Sequence, residues 1–219
     1  MKDIIIKNNI NLLNYTTIKV GGCTEFFAEP ESISELIEYL RWVKLNNLKC
    51  RFIGAGSNLL IRNALHNGLT ICTRKLRKIK INRLSGVLEA ECGVMLPVAA
   101  NLLAHNGCEG GEWLIGIPGT IGGAVFMNAG SGEFWISKYL LSVQVVDTQN
   151  LKVYKLNKEN LIFNYRFSSF QTNKFAILSA NFMFRPNRNI KKITDKTKQN
   201  LKNKTNMQPY HLPSFGSVF

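Results

Sequence analysis

Glu25-Phe26-Phe27-Ala28-Glu29, then Pro30, then Ser32-Ile33-Ser34-Glu35 open the segment that decides the fold. The first five residues read as a short strand. Pro30 follows it, and the Ser-x-x-Glu spacing is a capping box that starts a helix. Ile33, Leu36, Ile37, Leu40 and Val43 recur at helical spacing and bury one face, leaving Glu35, Glu38 and Arg41 in water. Cys50-Arg51-Phe52-Ile53 is a second strand that ends at Gly54. Strand, helix and strand in succession imply an α/β domain with helices packed on a sheet.

Directly after that second strand comes Gly54-Ala55-Gly56-Ser57-Asn58-Leu59. Small residues let main-chain N–H groups approach an oxyanion, and Ser57 and Asn58 add donors, so this turn suits a phosphate. Leu59 occupies the place where the dinucleotide fingerprint has its third glycine, and no Gly-Lys-Ser/Thr follows. Neither the Rossmann nor the P-loop pattern applies, and a plain tight turn stays open as a reading.

From Leu69 to Cys92 the texture changes to alternating runs such as Lys78-Ile79-Lys80-Ile81-Asn82 and Val87-Leu88-Glu89-Ala90-Glu91, which read as consecutive strands. Pro97 suits a first helical turn, Val98 to Ala104 continues the helix, and Gly107 is placed to end it. Gly116, Gly119, Gly122, Gly123, Gly130 and Gly132 then crowd together. That is too many for a helix or strand interior and suits backbone lying against a ligand. Tyr139 to Asp147, Leu151 to Leu156 and Phe175 to Phe184 are β-rich, giving a second α/β or α+β unit. Past Pro186, Ile190, Ile193, Thr197 and Leu201 form a thin apolar stripe on a Lys-rich helix, which is either a packed appendage or the opening of a further domain.

In 219 residues, a hydrophobic fraction of 45% with 19% charged residues is ordinary for a soluble globular chain. No segment approaches the about 18 consecutive apolar residues of a membrane span, and the apolar run near Met1 is too short for an export signal. Five scattered cysteines without a Cys-x-x-Cys pair fit a reducing cytoplasm, and with three dispersed histidines they predict no metal site. A net charge of +14 favours anionic partners. Without a zinc finger, a helix-turn-helix signature or an aromatic RNA-binding motif, the expectation is a basic surface and small anionic ligands rather than nucleic acid.

The second glycine run, Gly116-Ile117-Pro118-Gly119-Thr120-Ile121-Gly122-Gly123-Ala124, leads to Met127-Asn128-Ala129-Gly130. Two phosphate-compatible loops in one chain suit a dinucleotide. With Thr16-Thr17-Ile18-Lys19-Val20-Gly21-Gly22 ahead of them, these motifs resemble the UDP-N-acetylenolpyruvoylglucosamine reductases. That family shares its FAD-binding PCMH-type fold with the vanillyl-alcohol-oxidase-like flavoproteins. The similarity continues through Asn164-Tyr165-Arg166-Phe167-Ser168-Ser169-Phe170 and through Gln208-Pro209 and Pro213-Ser214-Phe215-Gly216-Ser217-Val218-Phe219, so it spans nearly the whole chain.

The resemblance implies a two-subdomain α/β (α+β) fold. Residues 1–70 and 71–186 would hold FAD between them, and 187–219 would begin a substrate-binding domain whose remainder, including a carboxylate, lies beyond this sequence. It implies a cytoplasmic monomer that reduces FAD with NADPH and passes a hydride to an enolpyruvyl UDP-sugar. Gly54 to Leu59 (Gly54, Ala55, Gly56, Ser57, Asn58, Leu59) together with Gly119, Thr120, Ile121, Gly122, Gly123, Asn128, Ala129 and Gly130 would hold the cofactor. Tyr165 and Arg166 would meet the substrate, Arg166 facing its carboxylate and the enolate formed from it. Ser217 would donate the quenching proton. A non-catalytic FAD-binding remnant is the competing expectation. An oxidase on the same fold is a third, against which the Tyr-Arg and Gly-Ser-Val-Phe motifs speak.

Overall fold

A computed structural model describes residues 4–172, 174–187, 189–208, 212–214 and 216. Its first sheet is built from β1 (Lys7–Asn11), β2 (Cys23–Ala28), β3 (Cys50–Ile53) and β4 (His66–Cys72), in the order β1-β2-β4-β3. β2, β4 and β3 are parallel, and β1 adds antiparallel at the edge. The crossover is α1 (Ile33–Leu45), which starts where the capping box predicts: the Ser32 hydroxyl accepts from the Glu35 N–H at 3.2 Å. The return bond closes one residue early, because the Glu35 carboxylate accepts from the Glu31 N–H at 2.7 Å. Ser32→Ala is expected to lower the unfolding free energy by about 1 kcal/mol. Urea denaturation checks this, and an unchanged midpoint would show that Glu35 holds the helix start alone.

The buried face of α1 is Leu36, Tyr39, Leu40 and Val43, with Ile33 and Ile37 at its margin. Tyr39 joins an apolar face because its hydroxyl reaches the Ile5 carbonyl at 2.8 Å, which removes the penalty of burying it unpaired.

The second sheet comprises β5 (Ile79–Asn82), β6 (Val87–Glu91), β7 (Leu140–Asp147), β8 (Val153–Asn157) and β9 (Phe175–Met183). It is antiparallel throughout, ordered β8-β7-β9-β6-β5. Along β9 the two-residue period turns Ala176, Leu178, Ala180 and Phe182 to one face. Ala176 and Leu178 share a core with α1, Leu69 and Ile71, whereas Ala180 and Phe182 pack with α2 (Leu96–His105) and α3 (Ile121–Met127). The helix of the first sheet is thus buried partly by the second. Each fully buried Leu or Ile contributes about 1.5–3 kcal/mol, so the apolar junction between the sheets would be costly to expose.

Gly122 and Gly123 lie in the first turn of α3, although their density reads as irregular chain. The reason is contact. A Cβ on Gly122 would lie 2.8 Å from the Cβ of Cys92, where α3 begins against the end of β6. Burial of Cys92 pushes its thiol up to about 12, so it remains a neutral packing group.

The Lys-rich helix, α4 (Ile190–Met207), begins where Asn189 accepts from the Lys192 N–H at 3.0 Å. Its stripe buries Ile193 and Thr197 in contact with α2 and the short turn Glu112–Gly116, so this helix is packed onto the second unit. Among the described residues, no helix is long and apolar enough to cross a membrane.

Candidate active site

The turn after β3 is braced from behind. Arg74, just past β4, donates through Nε to the Gly54 carbonyl at 3.0 Å and through Nη2 to the carbonyls of Ala55 at 2.6 Å and Tyr15 at 2.8 Å. The Thr17 N–H donates to the Gly56 carbonyl at 3.2 Å. Gly56 stands at φ +70°, and a Cβ there would overlap the Tyr15 carbonyl oxygen. Left-handed backbone and close approach both require glycine at this position. Leu59 turns its side chain towards a small cluster of Leu12, Phe27, Ile53 and Cys72.

The second glycine loop abuts the first. The Ser57 hydroxyl donates to the Pro118 carbonyl at 2.9 Å, and a Cβ on Gly54 would lie 2.5 Å from Thr120 Oγ1. Thr120 caps α3 by accepting from the Gly123 N–H at 3.3 Å. The N–H groups of Ile121 and Gly122 are spent within the fold, on the carbonyls of Val94 and Cys92, each at 2.8 Å. Those of Ala55, Gly56, Ser57, Asn58, Gly119 and Thr120 have no acceptor among the described residues.

These features fit the pyrophosphate of a dinucleotide. Consecutive free N–H groups form an anion-binding concavity. Gly119 and Gly123 border space: a Cβ on either would approach only ordinary contacts, the nearest at 3.4 and 3.5 Å. Of the expected cofactor residues, Gly54 to Asn58, Gly119, Thr120 and Gly123 therefore meet at one junction. Ile121 is fully buried in the core and Gly122 is a packing glycine.

Asn128, Ala129 and Gly130 lie at the other end of α3, about 10 Å away along its axis at 1.5 Å per residue. Asn128 stops the helix in the left-handed region at φ +44°, donating to the Asn164 carbonyl at 2.9 Å. Ala129 spends its N–H on Ala124 and its carbonyl on Ile136. The Asn164 contact fastens the small hairpin of Phe163–Asn164 and Phe167–Ser168, whose tip is Tyr165-Arg166. Ser168 anchors the same hairpin by donating to the Phe126 carbonyl at 2.6 Å. At the tip Arg166 is forced to φ +52°, a strained value for a side-chain-bearing residue. Its guanidinium donates to the Gly130 carbonyl at 3.2 Å and lies 5.5 and 5.4 Å from the ring centroids of Trp135 and Tyr165.

Ser217 lies outside the described residues. The Ser214 N–H donates to the Thr17 carbonyl at 3.3 Å, and the Thr17 hydroxyl donates to the Ser214 carbonyl, which brings Ser214 to the first glycine loop. Sequence reasoning missed Arg74, Thr17 and Trp135 as parts of this site. An arginine after an apolar strand and a tryptophan near a glycine carry no local signature, and Thr17, though it stands in the Thr16–Gly22 motif, shows no role there, since the partners of all three are remote in sequence.

The chain is similar to known proteins along its length. The FAD binding domain family matches residues 24–157. Over all 219 residues the chain is 55% identical to the UDP-N-acetylenolpyruvoylglucosamine reductase of Prochlorococcus marinus subsp. pastoris and covers 74% of it. It is 40% identical over 217 residues to the same-named reductase of a Synechococcus species, covering 99% of this chain and 71% of the relative. The crystal structure of UDP-N-acetylenolpyruvylglucosamine reductase from Thermus caldophilus superposes with a TM-score of 0.82 at 25% identity, covering 99% of this chain and 75% of that one. Alkyldihydroxyacetonephosphate synthase shares the fold alone, with a TM-score of 0.58 at 18% identity. With the resemblance carried by its loops and Tyr-Arg hairpin thus confirmed along its whole length, the chain belongs to the UDP-N-acetylenolpyruvoylglucosamine reductase family and carries that family's FAD-binding α/β domain.

Proposed function

We propose that the chain holds FAD at the junction of its two glycine loops and reduces UDP-N-acetylglucosamine enolpyruvate to UDP-N-acetylmuramate, with NADPH as the electron source. The reaction belongs to peptidoglycan synthesis. The observation that carries this reading is the meeting of Ser57 and Pro118 across the two loops, with Arg166 fixed at the far end of the short helix that leaves the second. FAD supplies a two-electron carrier that accepts a hydride from one partner and gives it to another.

The chain's own residues handle the charge. The free N–H groups of Gly56, Ser57 and Gly119 bind an anion. Gly123, without a side chain, leaves it room. Hydride arrival at the vinyl carbon leaves a carbanion beside the carboxylate, delocalised into it as an enolate, and Arg166 meets that charge with a guanidinium that never deprotonates. The Gly130 carbonyl and the rings of Trp135 and Tyr165 hold the guanidinium in place beforehand, so little reorganisation is needed as charge develops. Tyr165 borders the substrate, and Ser217 delivers the proton that quenches the enolate. Five free thiols fit a reducing cytoplasm, and the reading takes the active chain as a monomer.

The test is a visible spectrum of the purified chain, then anaerobic NADPH, then the enolpyruvyl sugar nucleotide. Flavin absorbance that bleaches and then recovers supports the reading. Absence of flavin after added FAD would sink it, and bleaching without recovery would favour an FAD-binding chain that does not turn over.

The two helical glycines give a separate check. Gly122→Ala is expected to destabilise the apo-protein by about 1–3 kcal/mol through crowding against Cys92. Gly123→Ala should leave apo stability within about 1 kcal/mol of wild type and reduce bound flavin. Urea melts and flavin content measure the two effects, and equal stability losses would show that Gly123 also packs against the fold.

A further inference from the structure

Arg74 has no part in the roles above, yet it is the most heavily engaged side chain near the loops. All three of its acceptors are neutral carbonyls, those of Tyr15, Gly54 and Ala55. None of the five ion pairs among the described residues includes it. Among the described residues no carboxylate pairs with its charge, which lies behind the first glycine loop and over the Tyr15 ring, 5.7 Å from the ring centroid.

The peptide plane turns these bonds into orientation. In a trans peptide the C=O of one residue and the N–H of the next point in opposite directions. Holding the Gly54 carbonyl on Arg74 aims the Ala55 N–H the other way, and holding the Ala55 carbonyl does the same for Gly56. Thr17 completes the series, since its bond to the Gly56 carbonyl sets the Ser57 N–H. These three consecutive N–H groups are among those with no acceptor among the described residues.

We propose that Arg74 is the positioning residue for the cofactor's pyrophosphate, holding the Gly54 and Ala55 carbonyls so that successive N–H groups present outward, with its own charge behind them. The proposal rests on the reading of these loops as the FAD site. Arg74 need not touch the cofactor. Its effect passes through the turn, and it selects for the phosphate-bearing part of the ligand rather than for the ring system.

The experiment uses apo-protein and two fluorescent flavins: FAD, and riboflavin, which has the same ring system and no phosphate. Quenching titrations give a Kd for each with wild type, Arg74→Gln and Arg74→Lys. Loss of the charge-assisted bonds in Arg74→Gln is expected to weaken FAD about 30-fold, with riboflavin changed less than about threefold. Lysine restores the charge but cannot hold three carbonyls from one planar fork, so Arg74→Lys should lose about tenfold on FAD alone. Unchanged FAD binding, or equal weakening of both flavins, would overturn the proposal, the second result marking Arg74 as merely structural. If circular dichroism shows that Arg74→Gln does not fold, the lysine variant decides by the same ratio. Wild type that binds neither flavin would overturn the FAD reading itself.

Discussion

Gly56→Ala is expected to leave the purified chain without bound flavin and to lower the stability of the apo-protein by about 2–5 kcal/mol. Two costs add. At φ +70° a side-chain-bearing residue costs about 1–2 kcal/mol in the left-handed region. The new Cβ would also overlap the Tyr15 carbonyl oxygen and crowd the Cα of Thr16, both backbone atoms that cannot step aside, and overpacking of that kind costs about 1–3 kcal/mol. Relieving the overlap means moving Tyr15 or the turn itself, and either movement disturbs the N–H groups proposed to face the pyrophosphate. Urea denaturation and the ratio of visible to ultraviolet absorbance measure the two effects. Gly132→Ala is the control, because Gly132 also has positive φ, at +60°, but a Cβ there meets nothing within 4 Å. It should show the conformational cost alone and keep its flavin. Equal behaviour of the two variants would show that the Tyr15 contact is unimportant.

Arg166→Gln is expected to slow reoxidation of the reduced flavin by the enolpyruvyl sugar nucleotide about 10²–10³-fold, the usual loss when one preorganised charge-stabilising group is removed. Bleaching by NADPH should change less than about fivefold, because no enolate forms in that half of the reaction. Stopped-flow absorbance under anaerobic conditions separates the halves. Arg166→Gly tests the same residue against its strained backbone. Glycine accepts φ +52° without penalty, so the fold is kept or gains stability while the guanidinium is lost. If the glycine variant reoxidises at the wild-type rate, the tip of the hairpin matters only for its shape. Arg166→Lys should recover little, since an ammonium cannot donate to Gly130 and grip a carboxylate with the same planar geometry.

Local rules carried much of the architecture. Ser32 and Glu35 mark the start of α1, the spacing of Leu36, Leu40 and Val43 marks its buried face, and Pro97 and Gly107 bracket α2. Each of these depends on a few neighbouring residues, through a cap, a period or a φ value, and so can be read in order along the chain. The glycine loops were visible for the same reason. Their division of labour was not: Gly122 serves Cys92, Gly123 borders open space, and Gly54 makes room for Thr120.

Those distinctions arise where segments far apart in sequence approach within van der Waals distance. The same holds for Tyr39, which looks amphipathic until Ile5 supplies an acceptor, and for the core of α1, part of which comes from Val146, Ala176 and Leu178 of the second sheet. Arg74 is the extreme case, an ordinary surface cation by sequence that the fold places against carbonyls at positions 15, 54 and 55. Periodicity, capping and turn chemistry act over a few residues and are written into local order. Which glycine packs, which N–H stays free and which charge stands behind it were settled only when the two sheets closed on one another, because those properties belong to pairs of surfaces and not to either stretch of chain.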